Sequence, residues 1–331
     1  MTAPATPYSW QHPSAPPPLD PQIVEFMRLM GAEGARYPKR HTIPIAEGRA
    51  NAEKVRAPWT QGGPVMARTE EHAVPTRHGA VRIRMHVPQN RVRPGALVYI
   101  HGGGFVLFSL DTHDRVMREY AGRAGLVVIG IDYTRAPEAR FPQPHDECVD
   151  VMRWLAQPQN ARALDIDPAQ LFIGGDSAGA NLSVGACLVL RDAGDALPRG
   201  MLLNYGAYST ELYRESVVRY GAGEYGLSLH MMLWFYGLYA RGPEDFADPR
   251  LHSLSARLEG LPPACLVVTE CDPLHDDSRL MAARLREAGV AVSETLYPGT
   301  IHGFLEAVSV ADVAGRAFDD SVRWLHALAA R

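Results

Sequence analysis

Apolar and polar side chains alternate between residues 81 and 87, where Val81, Ile83, Met85 and Val87 are interleaved with Arg82, Arg84 and His86. A period of two marks a strand with one face exposed, near the edge of a sheet. Later apolar stretches are continuous, at 96–100, 126–131, 171–174, 201–203 and 264–269. Strands without alternation are buried on both faces, as in a parallel sheet covered by helices. Helical patterns fill the intervals at 112–124, 146–155 and 277–288, the last stopped by Gly289. A final amphipathic helix puts Val313, Ala317, Leu325 and Leu328 on one side. This rhythm predicts an α/β fold, a doubly wound and mostly parallel sheet of about eight strands with helices on both faces.

Two segments break the rhythm. From Asp20 to about Trp59 the pattern reads helix, turn, helix, with Ile23, Phe26, Met27 and Met30 at helical spacing, Asp20 as N-cap and Pro21 in the first turn. Residues 205–250 are helical and rich in rings (Trp234, Phe235, Tyr236, Tyr239), with no clear strand. Together they predict a helical cap over the C-terminal strand ends, where ligands bind in such sheets. An ordinary crossover with extra helices is the alternative. The expected division is a flexible, Pro-rich tail at 1–19, cap segments at 20–75 and 205–250, and a core at 76–204 and 251–331.

Composition narrows the classes. The chain has 331 residues, 46% hydrophobic and 21% charged, which fits a globular protein rather than a disordered one. A net charge of -4 gives no footprint for nucleic acid or an anionic membrane. No apolar run reaches the roughly 18 residues of a membrane span. Residues 1–19 have neither a basic n-region nor an apolar h-region, so they are not read as a signal peptide. Cys148, Cys187, Cys265 and Cys271 lack CxxC spacing and sit in apolar or helical contexts, which favours buried free thiols in a reducing cytoplasm over disulfides or metal. The expected partner is a small molecule, with a homodimer left open.

Four groups fall just after predicted strand ends. His101-Gly102-Gly103-Gly104-Phe105 follows the strand at 96–100, and its glycines let backbone N–H groups approach a ligand oxygen. A phosphate loop is the rival, but the Gly-Lys-Ser/Thr ending and the spaced glycines of a dinucleotide site are missing. Gly175-Asp176-Ser177-Ala178-Gly179 follows the strand at 171–174 and opens a small-residue helix, the signature of a nucleophile elbow. Ser is also a common helix N-cap, so the pentapeptide alone leaves both readings open. Asp272 follows the strand at 264–269, and His302 follows a strand around 292–297. Asp276 and Asp277 rival Asp272, although Asp277 or Ser278 reads better as the cap of the next helix. His145-Asp146-Glu147 invites a metal reading, but no second ligand pair has the spacing, and Asp146 reads as a helix start.

The order Ser, Asp, His on separate loops is that of α/β hydrolases. It predicts Ser177 as nucleophile, His302 as base and Asp272 as the group that orients the imidazole. Gly103, Gly104 and Ala178 are the expected oxyanion donors, and no cofactor or metal is needed. Phe105, Leu107, Phe108, Tyr205 and Tyr208 are the candidates for an acyl pocket, although such rings are equally at home in a core.

From about Arg77 onward the chain resembles the hormone-sensitive-lipase family of esterases, in the branch with Gly-Asp-Ser-Ala-Gly at the elbow. The resemblance rests on the His101 to Phe105 loop, Ile131-Asp132-Tyr133 with Ala136-Pro137-Glu138, the elbow, Asp272-Pro273-Leu274 and His302-Gly303-Phe304. Asp111-Thr112-His113-Asp114-Arg115 and Tyr297-Pro298-Gly299-Thr300 are similar to the bacterial acetyl esterases of that family. Tyr133-Thr134-Arg135-Ala136-Pro137 departs slightly from the family's usual Tyr-Arg-Leu-Ala-Pro. The resemblance implies an α/β-hydrolase fold, a helical cap and hydrolysis of short-chain acyl esters. An amidase, a lactonase, a deacetylase of a larger molecule and a catalytically silent receptor are the alternatives.

Overall fold

The computed structural model describes residues 15–330. Its strands are β1 (Met66–Thr76), β2 (Gly79–Pro88), β3 (Ala96–Ile100), β4 (Val127–Asp132), β5 (Leu171–Asp176), β6 (Met201–Asn204), β7 (Ala264–Cys271) and β8 (Val292–Ile301). They form one eight-stranded sheet in the order β1-β2-β4-β3-β5-β6-β7-β8. β2 runs antiparallel to both neighbours, and every other pair is parallel. The chain leaves β3 for β4 on one side and returns to β5 on the other. Connections diverge there, so a crevice opens at the C-terminal ends of β3 and β5.

The helices are α1 (Pro21–Gly34), α2 (Ile45–Arg56), α3 (Asp114–Ala124), α4 (Gln143–Ala156), α5 (Pro158–Ala163), α6 (Ala178–Ala193), α7 (Glu215–Tyr220), α8 (Leu229–Tyr239), α9 (His275–Glu287) and α10 (Asp312–Ala329). Alternate residues of the buried strands feed two cores. Leu97, Tyr99, Val128 and Phe172 pack with Ile23 and Phe26 of α1, with α3 and with α10. Ala96, Val98, Ile100 and Ile173 pack instead with α4, α6 and α9. Helices therefore cover both faces, as continuous apolar strands require.

β1 begins before the point at which the sequence turns strand-like, near Glu71. It is one of the two edge strands, and of its residues only Val74 is fully buried, so its pattern carries little hydrophobic signal. Residues 66–75, expected in the cap, belong to the sheet. Helix starts also shift. α4 begins at Gln143, which puts Asp146 inside its first turn rather than at its start. Of the expected tail, residues 1–14 lie outside the described residues. Leu19 packs against the core, and the Asp20 N–H donates to the Gly299 carbonyl at 3.0 Å.

Two helical segments lie over the crevice. Arg49 of α2 donates to the Val106 carbonyl at 2.8 Å and the Ala136 carbonyl at 2.6 Å, and pairs with Glu138 at 2.7 Å. From α8, Tyr239 stacks on Phe105 with ring centroids 4.1 Å apart. The two segments meet where the rings of His41 and His230 touch edge to face, 4.2 Å between centroids.

Candidate active site

β5 delivers Ser177 through a turn that few side chains tolerate. Ser177 has φ 55° and ψ -118°, outside the regions open to ordinary L residues. Glycine on either side makes the turn fit. A Cβ at Gly175 or at Gly179 would run into the Ile100 carbonyl oxygen at the end of β3. Ser177 occupies the N-cap position of α6, yet its side chain caps no helix N–H. Its hydroxyl instead lies 3.0 Å from His302 Nε2. The cap reading of this serine is thereby replaced.

His302 stands directly after β8, with its Nδ1 2.9 Å from Asp272 Oδ2. Asp272 is fully buried just beyond β7. Its Oδ1 accepts the Leu274 N–H at 2.8 Å, and its Oδ2 also accepts the Thr269 hydroxyl at 2.5 Å. A carboxylate held from both sides can only accept from the imidazole. That fixes the tautomer with hydrogen on Nδ1 and leaves Nε2 as acceptor for the serine O–H. Burial disfavours the imidazolium, but the charge and hydrogen bond of Asp272 outweigh it, and the His302 pKa lies above its ordinary value.

The rival acids have other partners. Asp277 lies inside α9 rather than capping it, and accepts the N–H groups of Tyr208 at 2.8 Å and Ser209 at 2.7 Å. Ser278 follows it within the helix, and Asp276 accepts the Ser216 N–H at 2.9 Å.

The glycine loop after β3 is tied to the elbow. Asp176 Oδ1 accepts the Gly102 N–H at 3.1 Å and the Tyr99 hydroxyl at 2.9 Å, while Oδ2 lies 3.3 Å from His113 Nε2. A side chain at Gly102 would strike that carboxylate. Gly103 and Gly104 have φ of 112° and 61°, and the Gly103 carbonyl accepts the N–H groups of Val106 and Leu107 at 3.1 and 2.9 Å. The N–H groups of Gly103, Gly104 and Ala178 donate to no other described residue. They are free to bind an oxyanion beside Ser177. His101 faces the protein instead, stacked on Tyr133 at 4.5 Å and bonded through Nδ1 to the Gly102 carbonyl at 2.7 Å. Burial and the nearby His113 press its pKa down to about 3, so it stays neutral.

A small apolar cavity of about 30 Å³ opens at Ser177, walled by Phe105, Leu227, Met232, Phe235 and Leu274. Only Phe105 of the five expected pocket residues lines it. Leu107 and Tyr208 are buried in the core. Phe108 lies under the Arg56 guanidinium at 3.5 Å. Tyr205 sets its ring edge-on to His302 at 5.2 Å and packs against Phe304. These four follow the two right strands, but none of their side chains lines the cavity. Its actual walls come largely from the segment around α8, whose all-round apolar character gives no register by which to choose a lining face.

Asp176, Tyr99, His113 and Thr269 were not singled out as functional in the sequence. Asp176 and His113 stand within motifs that carry the family resemblance, which was the available signal. His145 is no ligand: its Nδ1 lies 2.9 Å from the Tyr239 hydroxyl and its Nε2 3.1 Å from the Arg250 carbonyl. Among the described residues no group of three or more His, Cys, Asp or Glu is placed to hold a metal ion.

The geometry has close counterparts. A family profile described as alpha/beta hydrolase fold matches residues 97–306. Ethyl acetate hydrolase of Pseudomonas putida is 33% identical over 304 residues, covering 89% of this chain and 95% of that protein. An ester hydrolase from the metagenome of Lake Arreo, solved with a derivative of bipyridine phosphonate, superposes with a TM-score of 0.87 at 34% identity, over 93% of this chain and 98% of the other. A hyperthermophilic esterase from the archaeon Pyrobaculum calidifontis gives 0.87 at 31% identity, over 95% and 100% of the two chains.

Proposed function

The chain belongs to the alpha/beta hydrolase fold family, and from that membership we propose that it is a serine carboxylesterase cleaving short acyl esters through an acyl-enzyme. The observation that carries this reading is the unbroken hydrogen-bond chain from Asp272 through His302 to Ser177. His302 Nε2 takes the Ser177 proton as the oxygen attacks the ester carbonyl carbon. The N–H groups of Gly103, Gly104 and Ala178 receive the oxyanion, each contributing on the order of 3 kcal/mol. The tetrahedral intermediate then breaks its bond to the alcohol oxygen, which leaves with the proton from His302. Water, activated by the same imidazole, releases the acid and restores Ser177.

The short-acyl preference rests on the cavity at Ser177. With about 30 Å³ available, and one water needing roughly 10–15 Å³ by such a measure, the space suits an acetyl or propionyl group better than a long chain. The relatives named as hydrolases of ethyl acetate and of esters agree with this reading. All four cysteines are buried free thiols, which supports a reducing, cytoplasmic location. Among the described residues no helix is long and apolar enough to cross a membrane.

Ser177→Ala assayed on p-nitrophenyl acetate tests the assignment, with an expected loss of up to about a millionfold. Retention of most of the activity would overturn it. Labelling by a fluorophosphonate probe separates a working triad from a silent receptor. Rates on acetyl, butyryl and octanoyl esters and an aryl amide separate esterase from amidase, and an octanoyl preference contradicts the short-acyl reading.

A further inference from the structure

Ser177 and His302 open onto different cavities. The one at His302 holds about 280 Å³ and is lined by Phe26, Met27, Arg40, Arg56 and Glu306, among others. In the mechanism above, the leaving alcohol takes its proton from His302, so the alcohol half of the ester lies on this side.

The two arginines there differ in their partners. Arg56 pairs through Nε with Glu306 at 2.9 Å and lies over the Phe108 ring at 3.5 Å. Arg40 forms no hydrogen bond or ion pair with another described residue, and its guanidinium stands 5.9 Å from the Phe108 ring centre. Burial and the neighbouring Arg56 draw its pKa down to about 10, which leaves it charged at neutral pH. A partly buried cation without a counter-ion is unfavourable until something pairs with it. The acids nearby do not fill that role, since Glu306 is held by Arg56 and Glu224 lies exposed at the rim.

Arg40 also lines an outer cleft of about 860 Å³ between the two helical segments. Lys39, His41 and His230 share its wall, which carries no carboxylate among the described residues. An anion is drawn along such a cleft. Arg40 lines both spaces, so the unpaired guanidinium joins this cleft to the cavity at His302.

We propose that Arg40 determines specificity by binding a carboxylate on the alcohol half of the ester, so that the favoured substrates are short acyl esters of hydroxy acids. This rests on the serine-esterase reading. The reaction is unchanged: the Ser177 oxygen bonds the acyl carbon, the bond to the hydroxy acid's oxygen breaks, and that oxygen takes the proton from His302. Phe26 and Met27 supply an apolar wall for the body of the hydroxy acid, and the planar guanidinium suits a carboxylate with two oxygens.

The test compares 3-acetoxybenzoate with 3-acetoxybenzamide, esters of one shape and different charge. For the native enzyme the ratio of kcat/KM is expected to favour the carboxylate about tenfold or more, as for a charge-assisted pair. In Arg40→Gln the ratio is expected to fall to near one. Both esters are measured on one preparation, so partial misfolding lowers both rates without moving the ratio. With the native enzyme alone, the preference should shrink as NaCl is raised from about 0.01 to 0.5 M, because salt screens the approach. A native ratio near one, a ratio unchanged in Arg40→Gln, or a salt-independent preference overturns the proposal. Failure of the native enzyme to cleave either ester or p-nitrophenyl acetate would instead overturn the esterase reading.

Discussion

Asp176 holds the backbone of Gly102 across the gap between β5 and β3, its Oδ1 accepting the Gly102 N–H at 3.1 Å. One carboxylate thus sets the distance between the loop that would receive the oxyanion and the turn that bears Ser177. The same group takes the Tyr99 hydroxyl and faces His113, and the charge of His113 keeps Asp176 ionised despite its burial. Asp176→Ala removes all three partnerships. The expected result is a fall in kcat on p-nitrophenyl acetate of about 100-fold, as for a misplacement near 1 Å, with a stability loss of about 2–4 kcal/mol from the buried groups left unpaired. Wild-type kcat in a folded variant would contradict this linkage.

The pH dependence follows from His302. In the proposed mechanism only the neutral imidazole accepts the serine proton, and Asp272 raises its pKa above the ordinary 6.5. Activity in kcat/KM should therefore rise with pH through a midpoint above 6.5 and then level off. In Asp272→Asn the charge that favours the imidazolium is gone while burial remains, so the midpoint moves to lower pH. The rate should also drop about 10⁴-fold, as the tautomer is no longer fixed. A pH profile of both enzymes reads both effects.

Acyl length should respond to Phe235. Its ring covers Gly104 and walls the cavity at Ser177, yet it is only partly buried, so truncation opens the pocket without emptying the core. Phe235→Ala is expected to raise the octanoyl-to-acetyl ratio of kcat/KM about tenfold or more, in line with the effect of added methylenes in an apolar pocket. An unchanged ratio places the limit on acyl length elsewhere.

Gly179 tests the elbow as a packing device. An added Cβ meets the Ile100 carbonyl oxygen, a backbone atom that cannot swing aside. Gly179→Ala should lose about 3 kcal/mol or more, seen as a lowered Tm or as insoluble protein. A variant with native Tm would show that β3 can shift.

Most of the framework was legible because it is written in periods and strand-end residues. The continuous apolar runs mark β3 to β7, and Ser177, Asp272 and His302 each stand directly after the last residue of a strand, in the chain order Ser, Asp, His. The start of edge strand β1 is hidden in the sequence because exposure on both faces leaves Arg68, Thr69, Glu70 and Glu71 without alternation. The pocket walls are hidden for a different reason. Leu107, Phe108, Tyr205 and Tyr208 lie close to Ser177 in topology, but which way a ring points depends on local backbone angles, such as the positive φ of Phe108 and Tyr205. Relations between distant segments, such as Arg40 and His302 lining one cavity, leave no trace in spacing at all.

The backbone angle of Ser177 sets activity against durability. A serine at φ 55° and ψ -118° sits where glycine is at ease and other residues cost of order 1–3 kcal/mol. Ser177→Gly should therefore abolish turnover and yet melt at a higher temperature than the native enzyme, a result that a thermal scan would show directly. At this one position a population selected only for robustness would drift away from catalysis, and the hydroxyl persists only where turnover is demanded of it.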